Sequence, residues 1–149
     1  MSQEPPRRSF AVRSRRSVVP PAAVVAVAIG GAAGAPARYL LGRTLHASGG
    51  LPLATLSVNL SGAFVLGALL VLVGERLAPT RHVRPLLGTG LLGAFTTYST
   101  FVVEADLLVR HQRFGVAVGY ICATVVGGLV AAWAGVLTAR AVPLLGRSN

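Results

Sequence analysis

Apolar residues run along this chain in four blocks, at about 22–41, 53–73, 86–109 and 114–139, separated by short stretches that hold most of the charge. Each block matches the roughly 20 residues that a helix needs to cross the hydrocarbon of a bilayer. The pattern predicts an all-α membrane protein with four transmembrane helices in one domain, 22–140, preceded by a disordered basic N-terminal tail, 1–21, and followed by a C-terminal tail, 141–149. The third block departs from plain hydrophobicity. From Gly88 to Phe101 it reads GTGLLGAFTTYSTF, with glycines and hydroxyl-bearing side chains set between apolar flanks. Backbone released from helical bonding finds no water in hydrocarbon, so irregular chain at that depth survives only where protein buries it or a wet cavity or bound ion satisfies it. A broken third helix serving as a transport site is therefore expected; a glycine-hinged packing helix is the plainer alternative.

Composition supports the membrane setting. With 53% hydrophobic residues, 12% charged residues and a mean hydropathy of +0.67, a water-soluble chain of 149 residues would be overloaded with apolar surface. The apolar run after the N-terminal arginines is too long for the core of a cleaved signal peptide, so a basic cytoplasmic tail is the expectation. The net charge of +10 does not point to nucleic acid, because the arginines sit in the tail and in loops between spans. With four spans, the tail, Arg76, Arg81, Arg84, Arg140 and Arg147 share one side, and Arg43, Arg110 and Arg113 lie opposite. Cys122 stands alone, and His46, His82 and His111 lack metal-ligand spacing, so neither a disulfide nor a zinc site is expected. Enzyme chemistry finds no support: Glu104 and Asp106 are two apart, which on a helix aims them in different directions, and no Ser-His-acid grouping is apparent.

The candidate site residues are polar groups at membrane depth. Gly30, Gly31 and Gly34 of the first span make a small-residue face for close helix approach, Pro36 is placed to bend that helix, and Arg38 either draws anions to a vestibule or snorkels to the interface. Asn59 and Ser61 in the second span need partners, supplied by an interhelical clasp or by a passing ion. In the third span Thr96, Thr97, Ser99 and Thr100 offer hydroxyls, and Tyr98 and Phe101 offer ring edges carrying partial positive charge. An anion can be held by such groups without a cation that binds too tightly for rapid release. Tyr120 and Thr124, four apart on the fourth span, form a candidate polar strip, and Trp133 reads as an interfacial anchor.

The segments GGAAGAPARYLLGR, TLSVNLSGAFVLG and GTGLLGAFTTYSTF, in that order across all four spans, resemble the small bacterial fluoride channels called Fluc or CrcB. The resemblance implies an inverted-topology, antiparallel dimer in the bacterial inner membrane, with two narrow pores through which fluoride leaves the cytoplasm passively. The partner would be a second copy of the chain or an oppositely oriented paralogue. Asn59 would donate to fluoride, Tyr98 and Phe101 would occupy the ring positions along the ion path, and Thr97, Ser99 and Thr100 would adjoin them. Backbone carbonyls of Gly93 and Thr96 would hold a structural sodium ion (Na+) between the subunits. Two positions depart from the family pattern: Tyr98 stands where phenylalanine is usual, and Gly128 stands where a second hydroxyl commonly extends the strip. The alternatives are a small multidrug-type proton-coupled exporter, for which Glu104 is the one acid at suitable depth, and a purely structural membrane subunit.

Overall fold

The computed structural model describes residues 19–45, 50–76 and 82–142, so most of the predicted tails at 1–21 and 141–149 lies outside the described residues. Pro20 is extended, and Pro21 opens helix α1 (Pro21–Thr44) at a position where a missing N–H costs nothing. The helix continues through Pro36 and ends where Leu45 turns extended. Helix α2 (Leu53–Val71) runs into a π-helical turn, π1 (Leu72–Arg76). The third block begins as a nine-residue π-helix, π2 (Arg84–Leu92), continues as a short α3 (Gly93–Phe95), and resumes as α4 (Ser99–Arg110). Helix α5 (Phe114–Ala141) is the last among the described residues. Four segments, Pro21–Thr44, Leu53–Glu75, Arg84–Arg110 and Phe114–Ala141, are long and apolar enough to cross a membrane.

Glycines decide how these segments pair. A Cβ on Gly30 or Gly34 would overlap the main-chain oxygen of Leu86 or Leu91, so α1 approaches π2 backbone to backbone. Helix α2 lies along α5 in the same manner, with Gly67 against the carbonyl of Ala132 and Gly135 against that of Phe64. Arg140 at the end of α5 pairs with Glu75 of π1 at 2.6 Å, joining those ends on one side of the bundle.

The buried core is small: Ala105 and Leu108 of α4 meet Ala117 and Tyr120 of α5, flanked by Leu51, Leu56 and Phe101. Large apolar side chains point outward instead. Leu129 is 70% exposed and Ile29 61%, a surface suited to lipid or to another membrane protein.

The turn from α4 to α5 is closed by paired bonds. Gln112 N–H donates to the carbonyl of Val109 (2.9 Å) and Arg113 N–H to that of Leu108 (2.9 Å), the pattern of a Schellman cap. Gln112 occupies the left-handed position, at φ 58°, where glycine is the usual choice.

Candidate functional site

Helical backbone stops after Phe95, where Thr96 turns extended (φ −75°, ψ 158°), and resumes at Ser99. Of the three residues between, Thr97 is held from a different span. Asn59 on α2 donates from Nδ2 to the Thr97 carbonyl (2.9 Å) and accepts the Thr97 N–H on Oδ1 (2.9 Å). One side-chain amide thus satisfies both main-chain groups of a residue taken out of the helix. The Nδ2 group carries two N–H bonds, and that clamp uses one.

The same bonds divert donors that an unbroken helix would direct elsewhere. Thr97 N–H, which would bond the Gly93 carbonyl in an α-helix, goes to Asn59. Thr100 N–H, which would bond the Thr96 carbonyl, goes to Thr97 Oγ1 at 3.2 Å. Thr97 Oγ1 donates in turn to Thr100 Oγ1 (2.9 Å) and lies 3.4 Å from Ser99 Oγ. Thr96 Oγ1 bonds back to the Leu92 carbonyl (2.9 Å), and the Thr96 methyl fills the space left by Gly62 on α2.

A cavity of about 430 Å³ opens beside the interruption, lined among others by Asn59, Thr96, Thr97, Tyr98, Phe101 and Thr124. Tyr98 is 79% exposed, and its ring tilts toward Phe101 at a centroid distance of 6.1 Å. Phe101 in turn packs against Tyr120 at 5.4 Å. Gly128 lines the same cavity, and a Cβ there would meet nothing within 4 Å.

Tyr120 and Thr124 share a helix but not an environment. Thr124 faces the cavity, with its hydroxyl donated to the Tyr120 carbonyl (2.8 Å). Tyr120 is fully buried, and its hydroxyl donates to Glu104 Oε2 at 2.7 Å. Thr55 Oγ1 donates to the other carboxylate oxygen at 2.9 Å. The sequence offers Glu104 as a catalytic acid or for proton coupling, and Thr55 is absent from the expected site. Thr55 lies one turn before Asn59 on α2, a spacing that places both on one face and is the signal that was available.

Arg38 is half-buried in a second cavity of about 480 Å³, which it shares with Arg43, Thr55, Thr97 and Thr100. The two cavities therefore meet at Thr97. Among the described residues, no buried side-chain polar atom lacks a hydrogen-bond partner, and no group of histidine, cysteine and acidic residues is placed to hold a metal ion.

Four apolar segments of spanning length among the described residues, with a satisfied polar interruption in the third, define a small multi-pass helical membrane protein. A family profile described as "CrcB-like protein, Camphor Resistance (CrcB)" matches residues 25–136. The chain is 46% identical over 112 residues to a fluoride-specific ion channel FluC 2 of Rhodococcus jostii, covering 75% of this chain and 94% of that protein. It is 46% identical over 115 residues to a FluC 2 of Moorella thermoacetica, covering 76% of this chain and 93% of the relative. A FluC 3 of Streptomyces avermitilis is 42% identical over 132 residues, 88% of this chain, but the match spans only 62% of that longer protein. This chain belongs to the CrcB family.

Proposed function

We propose that this chain is a subunit of a fluoride-selective ion channel that lets fluoride leave the cytoplasm down its electrochemical gradient and so lowers fluoride toxicity. The observation that carries the reading is the Asn59 clamp on Thr97, which leaves a second amide N–H on a residue that lines the same cavity as Tyr98 and Phe101. Fluoride is a small, strongly hydrated anion, and it sheds water only where donors replace it. The amide N–H, the hydroxyls of Thr97, Ser99 and Thr100 and the ring edges supply such donors without a fixed cation in the narrow part.

The working unit in this reading is an inverted-topology dimer in the bacterial inner membrane, formed with a second copy or with an oppositely oriented paralogue. A structural sodium ion at its centre would take the carbonyls of Gly93 and Thr96. Diversion of the Thr97 and Thr100 N–H groups supports that assignment, because both carbonyls lose the donor that a continuous helix would give them. Sodium would supply fixed positive charge there and stay in place. Arg38 would draw anions to the vestibule formed with Thr97 and Thr100.

The test is fluoride efflux from liposomes holding the purified chain, read by an ion-selective electrode with sodium present, no pH gradient, and chloride as the comparison anion. Fluoride-selective flux is expected, lost in Phe101→Ile and in Asn59→Asp, which exchanges a donor for a negative charge. If the chain is silent both alone and with a coexpressed paralogue, the channel reading fails. Flux appearing only under an imposed pH gradient would favour the proton-coupled exporter.

A further inference from the structure

The cavity of about 480 Å³ at the end of the first span is lined by two arginines of one helix, and they differ in depth. Arg38 is half-buried, whereas Arg43, in the last turn of α1, is exposed. Five residues separate them, about 7.5 Å along a helix axis. Thr97 and Thr100 line the same cavity, so the end of α1 and the interruption in the third span open onto one space. An anion that enters past Arg43 meets Arg38 before it reaches the hydroxyls.

We propose that Arg43 is the outer anion-gathering residue of this vestibule, held at its mouth by the ring of Tyr39, and that it raises the local fluoride concentration ahead of Arg38. The inference rests on the channel reading above. The Arg43 guanidinium carbon lies over the Tyr39 ring, 5.8 Å from its centroid. Tyr39 sits one turn earlier on α1 and lines the same cavity, which explains why a large ring stands 63% exposed there. A cation on a ring face is positioned without being neutralised, as it would be by a carboxylate. Among the described residues Arg43 has no carboxylate partner, so its full charge acts on the cavity. Gly42 beside it also lines the cavity and brings no side chain to narrow the entrance.

Gathering by charge has a signature that a structural role at a helix end lacks. It acts on the encounter step, so it matters at low fluoride and fades as the site saturates, and salt screens it. The experiment compares initial fluoride efflux of the unaltered chain, Arg43→Gln and Arg43→Lys in liposomes. Efflux is read at low and at saturating fluoride, in about 0.01 M and about 1 M impermeant salt, where screening lengths are about 30 Å and about 3 Å. Arg43→Gln is expected to lower efflux roughly two- to five-fold at low fluoride and low salt, to converge with the unaltered chain at high salt or saturation, and to recover in Arg43→Lys. Tyr39→Leu is expected to give a smaller loss under the same conditions and no further loss in the Arg43→Gln background, because the ring acts through the cation. Arg110→Gln removes a charge paired with Asp106 outside this cavity and is expected to leave efflux unchanged. The proposal is overturned, with the channel reading left standing, by equal loss at every salt and fluoride concentration, by a Tyr39→Leu effect that ignores Arg43, by the same loss in Arg110→Gln, or by no loss in Arg43→Gln while Asn59→Asp silences the chain. Silence of the unaltered chain, alone and with a paralogue, overturns both.

Discussion

Asn59 spends its amide on the backbone of another span, and that use explains why the residue tolerates hydrocarbon. An unbonded amide there is costly, and two charge-free bonds to one peptide residue offset the cost. Tyr98 is the opposite case, a large ring at 79% exposure on the cavity wall with a hydroxyl in addition. Tyr98→Phe keeps the ring edge and removes a donor that detains an anion, so fluoride efflux in the liposome assay is expected to rise by less than about tenfold, since one hydrogen bond is worth about 1 kcal/mol. An unchanged or lower rate would assign the hydroxyl a holding role instead. Polarity at membrane depth made Asn59 and Thr97 legible as candidates, and the ring edges beside the hydroxyls added Tyr98 and Phe101. The Thr55 and Tyr120 bonds to Glu104 were not, because they join residues 49 and 16 positions apart through the packing of three spans.

At the scale of elements, the seam between α1 and π2 is made of absent side chains. Gly34→Val would drive atoms into the Leu91 carbonyl, a backbone group that cannot swing aside, and is expected to cost about 3 kcal/mol or more. Thermal unfolding in detergent, followed by size-exclusion chromatography, is the check. Gly42→Ala on the same helix is the control, since its Cβ meets nothing within 4 Å, and is expected within about 0.5 kcal/mol of the parent. The small-residue face of the first span was readable as a packing surface, but its partner was not. The π-helical form of Arg84–Leu92 was also beyond the sequence, because hydropathy in a uniformly apolar run does not distinguish one helical pitch from another. The glycines at 88, 90 and 93 placed the weakness of the third span within a few residues, yet the backbone leaves helical geometry only at Thr96, where Asn59 receives it.

For the whole molecule, length and hydropathy announced four spans, and four segments of spanning length are present among the described residues. Orientation depends on the arginines outside them. Arg7, Arg8, Arg13, Arg15 and Arg16 give one side a decisive excess, and without them the opposing groups are closely matched. Deleting residues 2–18 is expected to move a C-terminal topology reporter toward an even mixture of the two orientations; an unaltered distribution would assign control to the remaining loops. The bond between spans two and three also gives the chain a direction in time. Asn59 leaves the ribosome 38 residues ahead of Thr97, so the receiver is already in the bilayer when the peptide that needs it arrives. Span order is thereby an assembly sequence. A circular permutant that begins with the third span would offer Thr97 to lipid before its receiver exists, and poorer membrane insertion of that permutant would register the dependence.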